Sequence, residues 1–235
     1  MLFRRLIISA LFVGLCSGML MTAFQQAFVT PIIFEAETWE QGVESIGNTV
    51  EPWAPEDGLE RFYFSILSNV LAGIGFAAVL LALMSQVQLA GFMRLSVMKG
   101  LGWGVAGFIS LFAAPSLGLA PEIPGIDAAA LENRQIWWLF TVVMSASGIA
   151  VLIFGKGVMR LLGLLMFGLP HFMGAPSIDG PHFSHNDPAA VLALTQLHFD
   201  FILATSVTNF IFWLAMGLIS AWILNFWVLK DVQSR

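Results

Sequence analysis

The sequence has 235 residues, of which 58% are hydrophobic and 11% charged, and its formal net charge is -5. An average soluble domain carries about 25% charged residues, so a water-soluble core of this size could not hide so much apolar surface. The single cysteine, Cys16, excludes an intrachain disulfide and a cysteine-based zinc site. The composition therefore predicts an integral membrane protein.

The predicted elements are six apolar stretches, most of them near the roughly 20 residues that a helix needs to cross a bilayer. In chain order they are residues 6–33, 62–86, 100–119, 136–155, 161–176 and 201–228. The first stretch follows a basic start like that of a signal peptide, but no convincing cleavage site interrupts it. We interpret it as an uncleaved helix. The fifth is short and contains Pro170, which favours a short or broken helix shielded by other helices.

The distribution of charge gives a second test, because short cytoplasmic loops carry an excess of Lys and Arg. Eight of the ten basic residues fall in alternate loops: Arg4, Arg5, Arg94, Lys99, Lys156, Arg160, Lys230 and Arg235. The loops between these lie on the opposite side, and the first of them is acidic: Glu35, Glu37, Glu40, Glu44, Glu51, Glu56, Asp57 and Glu60. Six crossings place every basic pair on one side. The sequence predicts an all-α polytopic helix bundle, one domain over residues 1–235, with both termini cytoplasmic.

Two local patterns mark helix ends. Asp57, followed by Glu60 three residues later, predicts the N-cap of the second helix. Trp137 and Trp138 stand at the head of the fourth stretch, where tryptophans suit an interfacial belt. Both patterns predict helices that begin at the outer surface.

The sharpest candidate for function is His171, which follows Pro170 inside the fifth stretch. Counted from Arg160 it lies on the order of 16 Å from the inner surface, near mid-membrane. A titratable side chain at that depth is costly and is by default a functional-site hypothesis. Neutral imidazole is the usual nitrogen ligand of divalent transition metals. The structural alternative is a histidine hydrogen-bonded to a neighbouring helix.

A histidine-bearing loop on the predicted outer side supplies further candidates. His182, His185, Asp179 and Asp187 fall within nine residues. Such a loop could capture a metal ion loosely, because imidazole and carboxylate together suit such ions, or it could be an ordinary polar loop. Its spacing matches no closed zinc pattern.

Two further pairs lie at the predicted ends of helices. His198 and Asp200 open the sixth stretch, and Glu35 and Glu37 close the first. Alternate positions on an ideal helix differ by about 200°, so only one member of each pair could face a common cavity. The sequence therefore predicts metal ligands among His171, Glu35, Glu37, His198, Asp200, His182 and His185.

The sequence lacks the motifs of the common enzyme classes. The Gly155-Lys156 dipeptide has no glycine at the P-loop spacing, and the zinc-protease and nucleophile-elbow signatures are missing. We therefore predict no ATPase or other enzyme, no bound cofactor and no nucleic-acid partner. A membrane-embedded enzyme is the weaker alternative, because the polar residues are few and spread through different helices.

An ordered set of motifs covers nearly the whole chain and resembles the CbtA family, bacterial membrane proteins described as predicted cobalt transporter subunits. The motifs are Leu2-Phe-Arg-Arg5, Pro31-Ile-Ile-Phe-Glu-Ala-Glu37, Asp57-Gly-Leu-Glu-Arg61, Pro121-Glu-Ile-Pro-Gly125, Arg134-Gln-Ile-Trp-Trp138 and Leu169-Pro-His-Phe-Met-Gly-Ala-Pro176. By position in those motifs, the resemblance emphasises Glu35, Glu37, Glu60, Arg61, Arg134, Trp138, His171 and Pro176.

The resemblance implies a multi-pass protein of the bacterial inner membrane that transports Co²⁺ with CbtB, a small one-helix subunit that carries histidines. It also implies an association with cobalamin-regulated genes. We expect a permease subunit for divalent metal uptake. A non-transporting scaffold or metal-sensing subunit, transport of nickel rather than cobalt, and a homo-oligomer remain open alternatives, since nitrogen and oxygen ligands suit both metals.

Overall fold

The computed structural model describes residues 2–40 and 55–230, which are helical apart from short connections. Glu44, Glu51, Trp53 and Arg235 lie outside the described residues. The helices are α1 (Leu2–Phe24), α2 (Thr30–Glu40), α3 (Leu59–Leu89), α4 (Val97–Phe108), α5 (Ala114–Ser116), α6 (Leu131–Phe154), α7 (Met159–Met173) and α8 (Pro188–Ile223). Wider π-helical turns continue three of them, at Gln25–Val29, Ile109–Ala113 and Leu224–Val228. The predicted all-helical polytopic bundle is confirmed.

Five helices are long and apolar enough to cross a membrane in the described part of the chain: Leu2–Trp39, Leu59–Leu89, Val97–Ser116, Leu131–Phe154 and Pro188–Val228. The apolar helix α7 has only 15 residues, about 22 Å at 1.5 Å per residue, against about 30 Å of hydrocarbon. The prediction that the fifth stretch is short is confirmed. That it crosses the membrane remains a prediction.

The predicted start of the last helix and the predicted cap of the second are wrong, and the fifth stretch is a short helix rather than a broken one. The last helix begins at Pro188 rather than near Phe201, because Asp187 Oδ1 accepts the Ala189 N–H at 2.9 Å and caps a helix with proline at its first position. Pro170 does not break α7, which continues to Met173. The N-cap of α3 is Gly58, not Asp57, whose carboxylate instead pairs with Arg61 at 3.0 Å.

The chain forms two compact units. The first comprises the described parts of Met1–Phe24, Pro52–Phe108 and Thr208–Arg235. Its helices approach closely at glycines: a Cβ on Gly73 would lie 2.7 Å from the Gly14 carbonyl oxygen, and one on Gly100 would lie 2.5 Å from that of Gly217. Small residues at such crossings let helix backbones pack directly, as is common between helices in membranes.

Arg5 joins the two ends of the chain within this first unit. Its Nη1 donates to the Trp227 carbonyl at 3.2 Å, in the last turn of the final helix. A cation at this position satisfies terminal carbonyls and complements the helix dipole. The contact places the start of α1 and the end of the last helix at one end of the unit.

The second unit comprises the described parts of Gln25–Glu51 and Ile109–Val207. Within it α6 and α7 pack through glycines, since a Cβ on Gly163 would lie 2.8 Å from the Gly148 carbonyl oxygen. A separate apolar core, the α2–α8 core, consists of Val29, Ala36, Ile123, Phe183, Leu194, Leu197 and Phe201. This core lies where α2 and the first half of α8 pack on residues 121–127 and 177–187. All seven predicted ligands belong to this unit.

Candidate metal site

His171 lies in the last turn of α7, directly after the buried Pro170. The imidazole packs against two aromatic rings. Its centroid is 5.9 Å from that of Trp137, nearly edge to face at 69°, and 6.2 Å from that of Phe167, one turn earlier on the same helix. We call Trp137, Phe167, Pro170 and His171 the His171 cluster.

Trp137 holds this cluster together from α6. The residue is only 7% exposed, and its indole Nε1–H donates to the Pro170 carbonyl oxygen at 3.3 Å. The indole is therefore inside the protein rather than in an interfacial belt, while the neighbouring Trp138 is 39% exposed. Sequence reasoning missed this contact, because no spacing in the chain connects Trp137 with His171.

The Nε2 atom of His171 is buried, and no hydrogen-bond partner for it lies among the described residues. Leaving such a group unsatisfied costs about 1–3 kcal/mol. In the tautomer that carries its proton on Nδ1, Nε2 presents a lone pair to any cation that reaches it. The sequence also allowed a histidine that is hydrogen-bonded to a neighbouring helix. Nε2 makes no such hydrogen bond to any described residue.

His198 has a different environment. It lies within α8 rather than at its opening, contrary to prediction, because α8 begins ten residues earlier at Pro188. Its Nε2 is 3.0 Å from the Pro121 carbonyl oxygen, and its ring meets Phe183 edge to face at 6.0 Å. A carbonyl can only accept, so Nε2 carries the proton and Nδ1 holds the lone pair when the ring is neutral. We call Pro121, Phe183 and His198 the His198 cluster.

The segment that binds His198 is fixed by a second contact. Glu122, the residue after Pro121, pairs with Arg134 at the start of α6, and both side chains are about one-quarter exposed. The motif beginning at Pro121 therefore connects α6 with α8. Asp200, also inside α8, accepts a hydrogen bond from Gln196 Nε2 at 3.1 Å.

The loop histidines take part in the local backbone structure. The carbonyl of the exposed His182 accepts the Asp127 N–H at 2.9 Å. His185 accepts the Asp187 N–H on its Nδ1 at 3.0 Å, beside the cap of α8. A metal ion on that Nδ1 would displace the backbone N–H, so binding there competes with the turn.

The two glutamates of the first stretch lie inside α2, which ends at Glu40, and not at its end as predicted. Glu35 is exposed and Glu37 is partly buried, while Ala36 between them is fully buried in the α2–α8 core. The two carboxylates therefore flank the buried face of the helix, as their alternate spacing predicts.

Within residues 2–40 and 55–230, no three His, Cys, Asp or Glu side chains come together as a group that could hold a metal ion. The seven predicted ligands are thus spread over α2, α7, α8 and the loop before α8. The metal-site assignment remains a prediction. The strongest single feature is the buried, unpartnered nitrogen of His171.

Comparison with known protein families gives a match over most of the chain. A family model described as probable cobalt transporter subunit (CbtA) matches residues 3–225. No curated protein and no solved structure matches the chain. The match spans both compact units and contains every predicted ligand.

Proposed function

The chain belongs to the CbtA family of probable cobalt transporter subunits, and we propose that it is the permease subunit that carries Co²⁺ across the membrane past His171. The observation that supports this site is the imidazole Nε2, buried between aromatic rings without a hydrogen-bond partner in the described residues. An imidazole nitrogen is a good ligand for Co²⁺.

A single protein ligand suits transport better than storage. Conduction requires a site that is favourable enough to enter and weak enough to leave. Bound to His171, Co²⁺ would keep water in its remaining coordination positions. Carboxylates of the predicted outer loops would raise the local cation concentration before entry.

The driving force needs no ATPase in this chain. A membrane potential that is negative inside favours inward movement of a divalent cation by about 4.6 kcal/mol per 100 mV. The alternation of basic and acidic loops supports an orientation in a bacterial inner membrane with both termini on the cytoplasmic side.

A small one-helix subunit resembling CbtB is the proposed partner. Nitrogen and oxygen ligands would also admit Ni²⁺, so nickel is the competing cargo.

Uptake of radiolabelled Co²⁺ into cells that express the chain with its partner tests the proposal. We expect His171→Ala to reduce uptake to the level of cells without the protein. Phe172→Ala is the matched control, because Phe172 follows His171 on the same helix, is 91% exposed and carries no metal-ligating atom. Wild-type uptake by the His171→Ala variant would refute this site. Inhibition of Co²⁺ uptake by added Ni²⁺ in the same assay shows which of the two metals the protein binds more tightly.

A second candidate is a scaffold or metal-sensing subunit that does not transport. It is supported by the lack of a three-ligand group in residues 2–40 and 55–230. This candidate predicts co-purification with a small membrane protein but no Co²⁺ flux when the two are reconstituted in liposomes. Flux above that of empty liposomes would exclude it.

A further inference from the structure

His171 is held from the side by a residue on another helix. The Pro170 carbonyl, which accepts the Trp137 indole N–H at 3.3 Å, belongs to the peptide bond that leads into His171. The same oxygen also accepts the Gly174 N–H at 3.1 Å, across the end of α7. Two donors therefore fix the orientation of the peptide from which the imidazole side chain departs.

The ring itself is oriented by contact. The second side-chain torsion of histidine has a broad energy profile, so an unpacked imidazole samples many orientations. Trp137 at 69° and Phe167 at 50° restrict that rotation. Only a restricted ring keeps Nε2 at a constant position, and the position of a ligand atom determines both affinity and coordination geometry.

Gly118 lies next to the six-membered ring of the indole. A Cβ on Gly118 would lie 2.5 Å from Trp137 Cη2 and 2.8 Å from the Cβ of Ala175, which follows α7. Any side chain at position 118 must therefore displace the indole or the segment after His171. The absence of a side chain at Gly118 leaves the indole the room it occupies.

We infer that Trp137, backed by Gly118, is a positioning residue that holds the imidazole of His171 in the orientation in which it binds Co²⁺. This inference rests on the proposed function of His171. It assigns to Trp137 no contact with the ion. The role is distinct from that of Trp138, the neighbour emphasised by the family resemblance, which is 39% exposed.

The test compares Trp137→Phe with Trp138→Phe, both in the full-length protein with its partner. Trp137→Phe keeps an aromatic ring but removes the N–H donor. We expect the KM for Co²⁺ uptake to rise roughly 2- to 12-fold, the change that corresponds to one ordinary hydrogen bond, with Vmax per folded molecule nearly constant. The visible absorption bands of bound Co²⁺ should also shift, because they report coordination geometry. Trp138→Phe should change neither quantity.

Gly118→Ala provides a second, independent variant. The indole keeps its N–H, but the added Cβ displaces the ring from its position. It should shift KM and the Co²⁺ bands in the same direction as Trp137→Phe. A merely structural role predicts less folded protein but an unchanged KM and spectrum per folded molecule. That result in both variants would overturn the inference.

The His171→Ala variant separates this inference from the proposed function. Background uptake in His171→Ala, together with equal KM values for Trp137→Phe and Trp138→Phe, refutes the positioning role alone. Wild-type uptake in His171→Ala refutes the transport site and the positioning role together.

Discussion

The His171 cluster packs its histidine against two aromatic rings and the His198 cluster against one, and the two histidines use their nitrogens differently. His198 Nε2 is bound to the Pro121 carbonyl at 3.0 Å, so it connects α8 with the segment that Arg134 holds through Glu122. His171 Nε2 is buried and has no partner in the described residues. The two rings therefore differ in which nitrogen is used: Nε2 of His198 already joins two segments of the protein, whereas Nε2 of His171 is left for another partner.

The largest expected effect concerns the core on which the His198 cluster rests. Leu194 is 2% exposed in the α2–α8 core, so Leu194→Ala should lower the free energy of unfolding by about 2–5 kcal/mol through lost burial and a cavity. Leu192 on the same helix is 74% exposed, and Leu192→Ala should change it by less than about 0.5 kcal/mol. Thermal unfolding in detergent measures both. Equal effects would show that this core does not stabilise the region.

The next effect concerns the packing that supports the His171 cluster. A Cβ on Gly163 would lie 2.8 Å from the Gly148 carbonyl oxygen, so Gly163→Val should separate α6 from α7 and destabilise the protein by about 1–3 kcal/mol. Gly168 on α7 has open space around its missing side chain. Gly168→Ala should therefore be neutral or stabilising by up to about 1 kcal/mol. Thermal unfolding and Co²⁺ uptake distinguish the two variants, and a tolerated Gly163→Val would contradict the described packing.

The third prediction tests the structural role of His198 directly. His198→Ala removes the hydrogen bond to Pro121 and leaves that carbonyl without this donor, which should cost about 1–3 kcal/mol of stability. Uptake of Co²⁺ per folded molecule should stay close to that of the wild type. The measurement pairs unfolding curves with uptake normalised to folded protein. A variant that folds normally but transports no Co²⁺ would reverse the contrast between the two clusters.

The smallest expected effect is at the start of α8. Asp187→Ala removes the cap on the Ala189 N–H and should cost about 1 kcal/mol. Asp187→Asn keeps a side-chain oxygen for that hydrogen bond and serves as the control, with a loss of a few tenths of a kcal/mol at most. Unfolding temperatures measure the difference. Equal losses in the two variants would mean that the carboxylate acts through its charge rather than as a cap.

Much of the fold could be predicted from the sequence, because apolar length determines where a chain can cross lipid. Hydropathy does not determine where a helix ends outside the membrane, so α8 begins well before the predicted Phe201. The signal was present: Asp187 and Pro188 are a capping pair, and Leu194, Leu197 and Phe201 follow helical spacing on the buried side. The extension of α2 to Glu40 was missed for the same reason.

The candidate site was predicted only in part. A histidine beside a proline inside an apolar stretch stands out in the sequence, and His171 was identified in this way. Its contact with Trp137 depends on how α6 and α7 pack through Gly148 and Gly163, which no local pattern specifies. Likewise, the hydrogen bond between His198 and Pro121 joins residues 77 positions apart.

The most direct test of the central claim is Co²⁺ uptake into proteoliposomes that contain the chain and its partner, under an imposed potential negative inside. Rates are compared for His171→Ala and His198→Ala, each normalised to folded protein. We predict background uptake for His171→Ala and near wild-type uptake for His198→Ala. Near wild-type uptake for His171→Ala would refute the transport site.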